Sequence, residues 1–250
     1  MRNAFFVQDL IELSNKKESK DLHLALQSFA KRIEFSGYYY DKFIEIHEQY
    51  ECGNVSSALK FERYRLDIEA YSVAFLHNIH AACDSLPYLI YTVLGDMKTI
   101  KKSSSCVNDG KECKKEVTEQ ILDLEERGVG FNQSFFDSFK LSYPADDILH
   151  AKLLEFSKND TFSKLRAFVN QSKHKYLTRV FFGLDGIYYD DFSYITFEGR
   201  KKVEHHVNKL DIQQFLKLCH NELFSLVFAI YRELFTTLEN KNLRLGENKQ

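Results

Sequence analysis

The sequence predicts a mainly α-helical protein: a bundle of four or more helices with a small β-hairpin or meander inserted before the last helix. Three observations carry this. Apolar residues recur at spacings of three, four or seven over long stretches. The 250 residues include only 2 Pro and 10 Gly, too few breakers for a many-turned β architecture. One late segment, from Arg179 to Val207, leaves that spacing and alternates aromatic and β-branched residues around turn dipeptides.

Residues 4–15 form a short amphipathic pattern. A long helix follows from Asp21 to Glu51, with Leu22, Leu24, Leu26, Phe29, Ile33, Tyr40, Phe43 and Ile44 in register, and with Gly37 as the place for a kink or a split. Gly53-Asn54 breaks the chain, and Ser56 or Ser57 caps the longest helix, residues 58–94, whose apolar face reads Leu66, Val73, Leu76, Ala82 and Leu86. Pro87 is expected to kink it near its end. Residues 95–115, rich in Ser, Lys and Gly, read as a mobile loop. Residues 116–126 read as a helix through Val117, Ile121 and Leu124, stopped by Gly128 and Gly130. A short helix over 131–141 ends before Pro144, and Asp146 or Asp147 caps the next, through Phe156. Asp160 or Thr161 caps a helix over 162–177. Asp185-Gly186 then marks a hairpin, Glu198-Gly199-Arg200 a second turn, and Val203–Val207 a third strand. Asp211 caps a long last helix in which Ile212, Leu216, Cys219, Leu223, Leu226, Val227, Ile230 and Leu234 keep helical spacing. The expected division is a helical region 1–52 packing on the bundle, a main domain 53–240 that contains loop 95–115 and hairpin 178–207, and a frayed polar tail 241–250.

Composition narrows the function classes. Net charge is −2, so no global field draws the chain to nucleic acid or to a membrane, and an anionic partner must be read by a local patch. No apolar run approaches the roughly 20 residues of a membrane span, and the first residues soon reach Gln8, Asp9 and Glu12 instead of forming a signal core. The 5 Cys fall mostly in helical contexts and read as reduced thiols of a cytoplasmic protein. Cys106 and Cys113 share a segment, a weak metal or disulfide signal. No phosphate-binding P-loop, dinucleotide glycine motif or nucleophile elbow is present in the sequence.

The strongest chemical signal lies on helix 162–177. Leu165, Phe168, Val169 and Ser172 share the core side, while Arg166, Asn170 and His174 stack along one edge at intervals of four, with Lys173 beside Asn170. A guanidinium, an amide, an ammonium and an imidazole suit a phosphodiester: the cations hold phosphate oxygens, the imidazole moves a proton, and the amide orients a hydroxyl or phosphate oxygen. The competing reading is a basic helix edge with a His at its C-terminus, where cations are favoured anyway. A second cluster, His77, His80 and Asp84, lies on the long earlier helix. Asp84 or His80 facing the stripe would fix the His174 tautomer or pair with Lys173 or Arg166. The same residues give an alternative metal reading through His77, His80 and His174. Arg200, Lys201, Lys202, His205, His206 and Lys209, with Tyr188, Tyr189, Phe192 and Tyr194, either hold and stack a nucleic acid or form an ordinary solvated hairpin, the reading that Asp185, Asp190 and Asp191 favour. Tyr38-Tyr39-Tyr40 looks like a ligand platform, with aromatic packing around a helix edge as the favoured reading.

The string Asn170-Gln171-Ser172-Lys173-His174-Lys175 resembles the N-x-x-K-H-R signature of one branch of the HEPN superfamily, and Ser72-Val73-Ala74-Phe75-Leu76 with Ala82-Cys83-Asp84-Ser85-Leu86 is similar to that branch's earlier helix. The order of signature helix, aromatic hairpin and final long helix fits as well, so the resemblance covers roughly residues 60–238. It implies a helical bundle that binds or cleaves RNA in a stress, toxin–antitoxin or phage-defence setting, without metal or cofactor, as a homodimer that brings two 166–174 helices together and with an antitoxin or other protein as partner. In that reading His174 is the acid/base, Lys173 and Arg166 hold phosphate, Asn170 orients the substrate, and Asp84 assists. The sequence departs from the commonest HEPN motif, which sets Arg closer before His than Arg166 stands to His174, and Lys175 stands where the signature has Arg. A non-catalytic binding or structural module of the same fold is the alternative.

Overall fold

The computed structural model describes residues 7–14, 16–52, 57–95, 97–109, 112–174, 180–183, 186–198 and 201–247. Helices dominate. α1 spans Val7–Leu13, α2 Lys20–Glu51, α3 Ala58–Asp84 and α4 Leu86–Leu94. α2 starts where the Ser19 hydroxyl accepts from the Leu22 amide, and α3 where Ser57 accepts from Lys60. The two long helices form an antiparallel pair: Tyr50 stacks on Tyr64 at 4.2 Å, Tyr39 meets Tyr71, and Arg32 Nη1 donates to the Ala81 carbonyl at 2.9 Å. α2 is continuous through Gly37, so the expected kink or split does not occur. The helix expected over 58–94 is two helices, broken at Ser85, and Pro87 lies in the first turn of α4, where its missing N–H costs nothing. Leu66 is exposed; the buried face of α3 is Tyr64, Ile68, Ser72, Phe75, Leu76, Ile79, His80, Ala82 and Cys83.

The segment expected as a mobile loop and helix is a β-hairpin. β1 (Lys98–Asp109) pairs antiparallel with β2 (Glu112–Asp123), placing Ile100 opposite Ile121 and Thr99 opposite Leu122. Of the three apolar residues read at helical intervals, Ile121 pairs with an apolar residue, Val117 faces Ser104, and Leu124 lies just beyond the strand. The hairpin is tied at its base, where Leu124 N–H donates to Met97 at 2.8 Å and Lys98 N–H donates to Ser142 Oγ at 2.7 Å.

A short 3-10 turn at Glu126–Gly128 leads to α5 (Gln133–Ser142), capped by Asn132, then α6 (Asp147–Ser157) and α7 (Asp160–His174). The cap of α7 is Asn159, whose Oδ1 accepts from Phe162 N–H at 2.8 Å, in place of the expected Asp160 or Thr161. Residues 175–177, expected to extend α7, lie outside the described residues. β3 (Val180–Gly183) and β4 (Gly186–Tyr189) form the hairpin expected at Asp185-Gly186, and β5 (Phe192–Glu198) and β6 (Lys201–Val207) the one expected at 198–200. A short β7 (Leu210–Asp211) adds to β4, and Asp211 Oδ1 accepts from Gln214 N–H to start α8 (Ile212–Leu218). One π turn at Cys219–Leu223 joins α8 to α9 (Phe224–Glu247).

The expected frayed tail from residue 241 is helical to Glu247, and its start is tethered: Lys241 Nζ donates to the Leu94 carbonyl at 3.2 Å and Asn242 Nδ2 to Leu13 at 2.9 Å. One hydrophobic core joins every helix, with Phe29, Phe43, Phe75, Phe135, Phe139, Phe156, Phe162 and Phe168 all buried. Each such ring contributes roughly 1.5–3 kcal/mol of apolar burial. No helix among the described residues is long and apolar enough to cross a membrane.

Candidate functional site

α7 is held from three directions, and that fixes which of its edges stays open. Leu165, Phe168 and Val169 are fully buried. Phe168 packs against Tyr189 at 4.5 Å, Phe192 at 6.0 Å and Phe215 at 6.3 Å, locking the helix onto the hairpins and α8. Its N-terminus is clamped by the π turn. Glu222 accepts from Asn159 Nδ2 at 2.5 Å and from Thr161 Oγ1 at 2.6 Å, so one carboxylate ties the α7 cap to the last helix and sits at the positive end of the α7 dipole. Nothing in the sequence spacing pointed to Glu222, because a π turn shifts side chains off the 3.6-residue register that defines a helix face.

Arg166, Asn170 and Lys173 lie on the remaining edge, all three exposed and none hydrogen-bonded or ion-paired within the described structure. This edge borders α3, as the spacing suggested. His77 of α3 and Ser172 of α7 meet at 2.8 Å between ring Nε2 and Oγ, while Ser172 Oγ donates to the Val169 carbonyl at 2.9 Å, so the imidazole nitrogen donates to the hydroxyl. The sequence assigned Ser172 to the core; it is instead the half-buried pivot between the two helices.

One turn further along α3 sits His80. It is only 4% exposed, its ring stacks on Phe162 at 6.3 Å, and neither ring nitrogen has a hydrogen-bond partner. Burial pushes the imidazole down to about 4. Asp84 opposes that shift, whereas Lys173, Arg166 and His77 reinforce it. His77 is also lowered, first by burial and then by Lys173. Arg166, Lys173, His77 and Asp84 are therefore close enough to His80 to be felt as charges, from two helices. Asn170 lies between Arg166 and Lys173 on the same edge. Asp84 is exposed and has no hydrogen bond or ion pair within the described structure, so it is near the stripe but not bonded to it.

The His174 backbone ends α7, but its side chain lies outside what is described, so its relation to Asp84 and to the metal alternative is not part of this geometry. Among the described residues no three His, Cys, Asp or Glu side chains converge as metal ligands, and His77 is occupied by Ser172. The side chains of Cys106 and Cys113 also lie outside the described set; the backbone places Cys113 opposite Asn108.

The aromatic hairpin does not offer a stacking platform at three of its four rings. Tyr189, Phe192 and Tyr194 are in the core, and Tyr194 Oη donates to Asp160 Oδ1 at 2.8 Å. His205 lies flat on Tyr194 at 4.6 Å, and His206 Nδ1 meets Ser193 Oγ at 2.8 Å, the behaviour of an ordinary solvated hairpin. Tyr40 stacks on His220 at 4.1 Å, which is packing, as expected.

What remains is an open cationic edge that also carries an amide, whose two cations act electrostatically on a buried neutral imidazole, as does Asp84 with the opposite sign. Chemically it can grip an anion with two unpaired cations and present hydrogen-bond donors and acceptors beside it. Comparison with protein-family models, with curated proteins and with solved structures finds no match.

Proposed function

We propose that this chain is a HEPN-like RNA-binding protein whose contact surface is the α3–α7 edge. Arg166 and Lys173 hold phosphate oxygens there, and Asn170 reads a hydroxyl or phosphate oxygen between them. One observation carries the reading. Two cations and an amide stand exposed and unpaired along one helix edge, and both cations act electrostatically on a buried histidine that has no hydrogen-bond partner of its own. A purely structural network would have used these groups to bond one another. RNA cleavage belongs to the same proposal through His174 as acid/base, with Asp84 assisting, and needs no metal.

The first test is direct. Purified protein is mixed with structured RNA in EDTA, and binding and cleavage are read separately. Arg166→Ala with Lys173→Ala is expected to weaken binding at least about ten-fold. His174→Ala is expected to abolish cleavage while leaving binding within about three-fold. Binding indifferent to both cations would remove the α7 edge as the contact surface. Binding without cleavage by the wild type would keep the surface and discard the nuclease.

The second reading, a non-catalytic module, has one observation of its own. The His77–Ser172 bond joins α3 to α7 as a structural tie. It leaves Arg166, Asn170 and Lys173 without a task, which is why it ranks second.

A further inference from the structure

The outer face of α2 carries a feature that the α7 edge does not use. Leu24, Ser28, Lys31, Phe35, Tyr38, Lys42, Glu45 and Gln49 follow each other at alternating spacings of four and three. These positions form one lengthwise stripe, whose apolar members are Leu24, Phe35 and Tyr38. Inside the chain, α2 uses a different face, through Leu22, Leu26, Phe29, Ile33 and Phe43. At its start Leu24 and Ser28 line a cavity with Ser85 and with Tyr88 and Leu89 of α4; beyond it Lys31, Phe35, Tyr38 and Glu45 are exposed. Phe35 is 45% exposed and Tyr38 53%, two large rings side by side in the middle of a 32-residue helix.

The charges around those rings are ordered. Lys31 pairs with Glu34 at 2.8 Å, and Lys42 pairs with Glu45 at 2.6 Å. Both pairs run cation to anion along the helix, and they are placed symmetrically about Tyr38: Lys31 and Glu45 lie seven residues to either side, Glu34 and Lys42 four. A two-fold axis through Tyr38 therefore sets Lys31 against Glu45 of a second copy and Glu34 against its Lys42. Each of these four charges meets its opposite and Tyr38 meets its own copy on the axis, while Phe35 faces Asp41 of the second copy. A parallel pairing would bring like against like.

We infer that α2 is the interface of an antiparallel, two-fold homodimer, centred on Tyr38 and aligned by Lys31–Glu45 and Glu34–Lys42 contacts between copies. The occupant of this face is a second copy of the chain because the charge pattern is complementary to itself. The interface is on a different element from the Arg166–Lys173 edge, and so differs from the dimer through the 166–174 helices that the resemblance implies; it stands whether or not that edge binds RNA.

The test is a charge exchange read by sedimentation velocity over a concentration series. Lys31→Glu with Glu34→Lys keeps the pair within the helix but sets like charges across the axis. Lys42→Glu with Glu45→Lys does the same from the other end. Wild type is expected to dimerise, and each double variant to weaken the dimer at least about ten-fold. Mixed in equal amounts, the two double variants are expected to form a heterodimer, and the four-fold variant is expected to recover the homodimer. All these positions lie on the outer face, so far-UV circular dichroism is expected to be unchanged. A wild type monomeric at every soluble concentration overturns the inference and leaves the face to another partner. So does a dimer indifferent to the exchanges, or a mixture of weakened variants that fails to associate.

Discussion

An imidazole buried with neither nitrogen bonded costs the fold about 1–3 kcal/mol, and His80 is in that position. Its folded-state value of about 4 lies below the ordinary 6.5. Between those values the unfolded chain binds a proton that the folded chain refuses, so stability rises with pH across that window and falls as pH drops through it. The contribution is complete above pH 6.5. Full acidification removes on the order of 3 kcal/mol by this linkage, and His77, also lowered, adds in the same direction. Thermal melting between pH 7 and pH 4 is expected to show a falling midpoint. In His80→Phe, which fills the space and needs no partner, that decline is expected to flatten, with stability at pH 7 equal to wild type or higher. A decline as steep in the variant as in the wild type would place the acid sensitivity elsewhere. Lys173→Ala and Arg166→Ala are expected to raise the His80 value, followed by proton resonance of the ring, because both cations oppose its protonation.

At the level of elements, the clamp between α7 and the π turn is the least expected joint. Glu222 satisfies Asn159 and the buried Thr161 hydroxyl together. Glu222→Ala leaves both donors unpaired and is expected to cost about 2–3 kcal/mol in urea unfolding, whereas Glu222→Gln, which keeps one acceptor, is expected to cost less. An alanine variant as stable as the glutamine variant would show that water replaces the carboxylate. The elements readable from sequence were those whose pattern excludes rivals. The helical stretch that starts at the capping Asp211 is read correctly as helical, although a π turn divides it into α8 and α9, and the hairpin at Asp185-Gly186 has a dipeptide that few other structures favour. The first hairpin is not legible because its apolar residues are sparse: Val117, Ile121 and Leu124 satisfy a helical interval, and only the opposite strand shows a ladder, in which Ile121 meets Ile100 and Leu122 meets Thr99. The expected cap of α7 lies one or two residues late for a similar reason, since Asn159, Asp160 and Thr161 are all good caps in isolation. The adjacency of α3 and α7 at the site was legible because His77 and Asp84 share one face, but the bond to Ser172 and the isolation of His80 depend on packing that no single helix encodes.

For the molecule as a whole, charge decides what the site can be. With 34 basic and 36 acidic side chains the chain has a net charge of −2 and exerts no long-range pull on a polyanion. Any RNA affinity then has to arise from the few phosphates that the α7 edge reaches. Two cations engaging two single-stranded phosphates give a slope of log affinity against log salt of about −1.4, since each contributes about 0.7. Removing Arg166 alone is expected to bring the slope to about −0.7, whereas Lys217→Ala, on α8 and outside the site, is expected to leave it unchanged. Fluorescence titrations of a short single-stranded RNA over a range of salt measure both. A slope near −1.4 that halves on losing Arg166 ties the affinity to this edge. A slope several units steeper would require cations from the hairpins, where Lys202 and Lys209 are exposed, and the contact surface would then be the β-region and not α7.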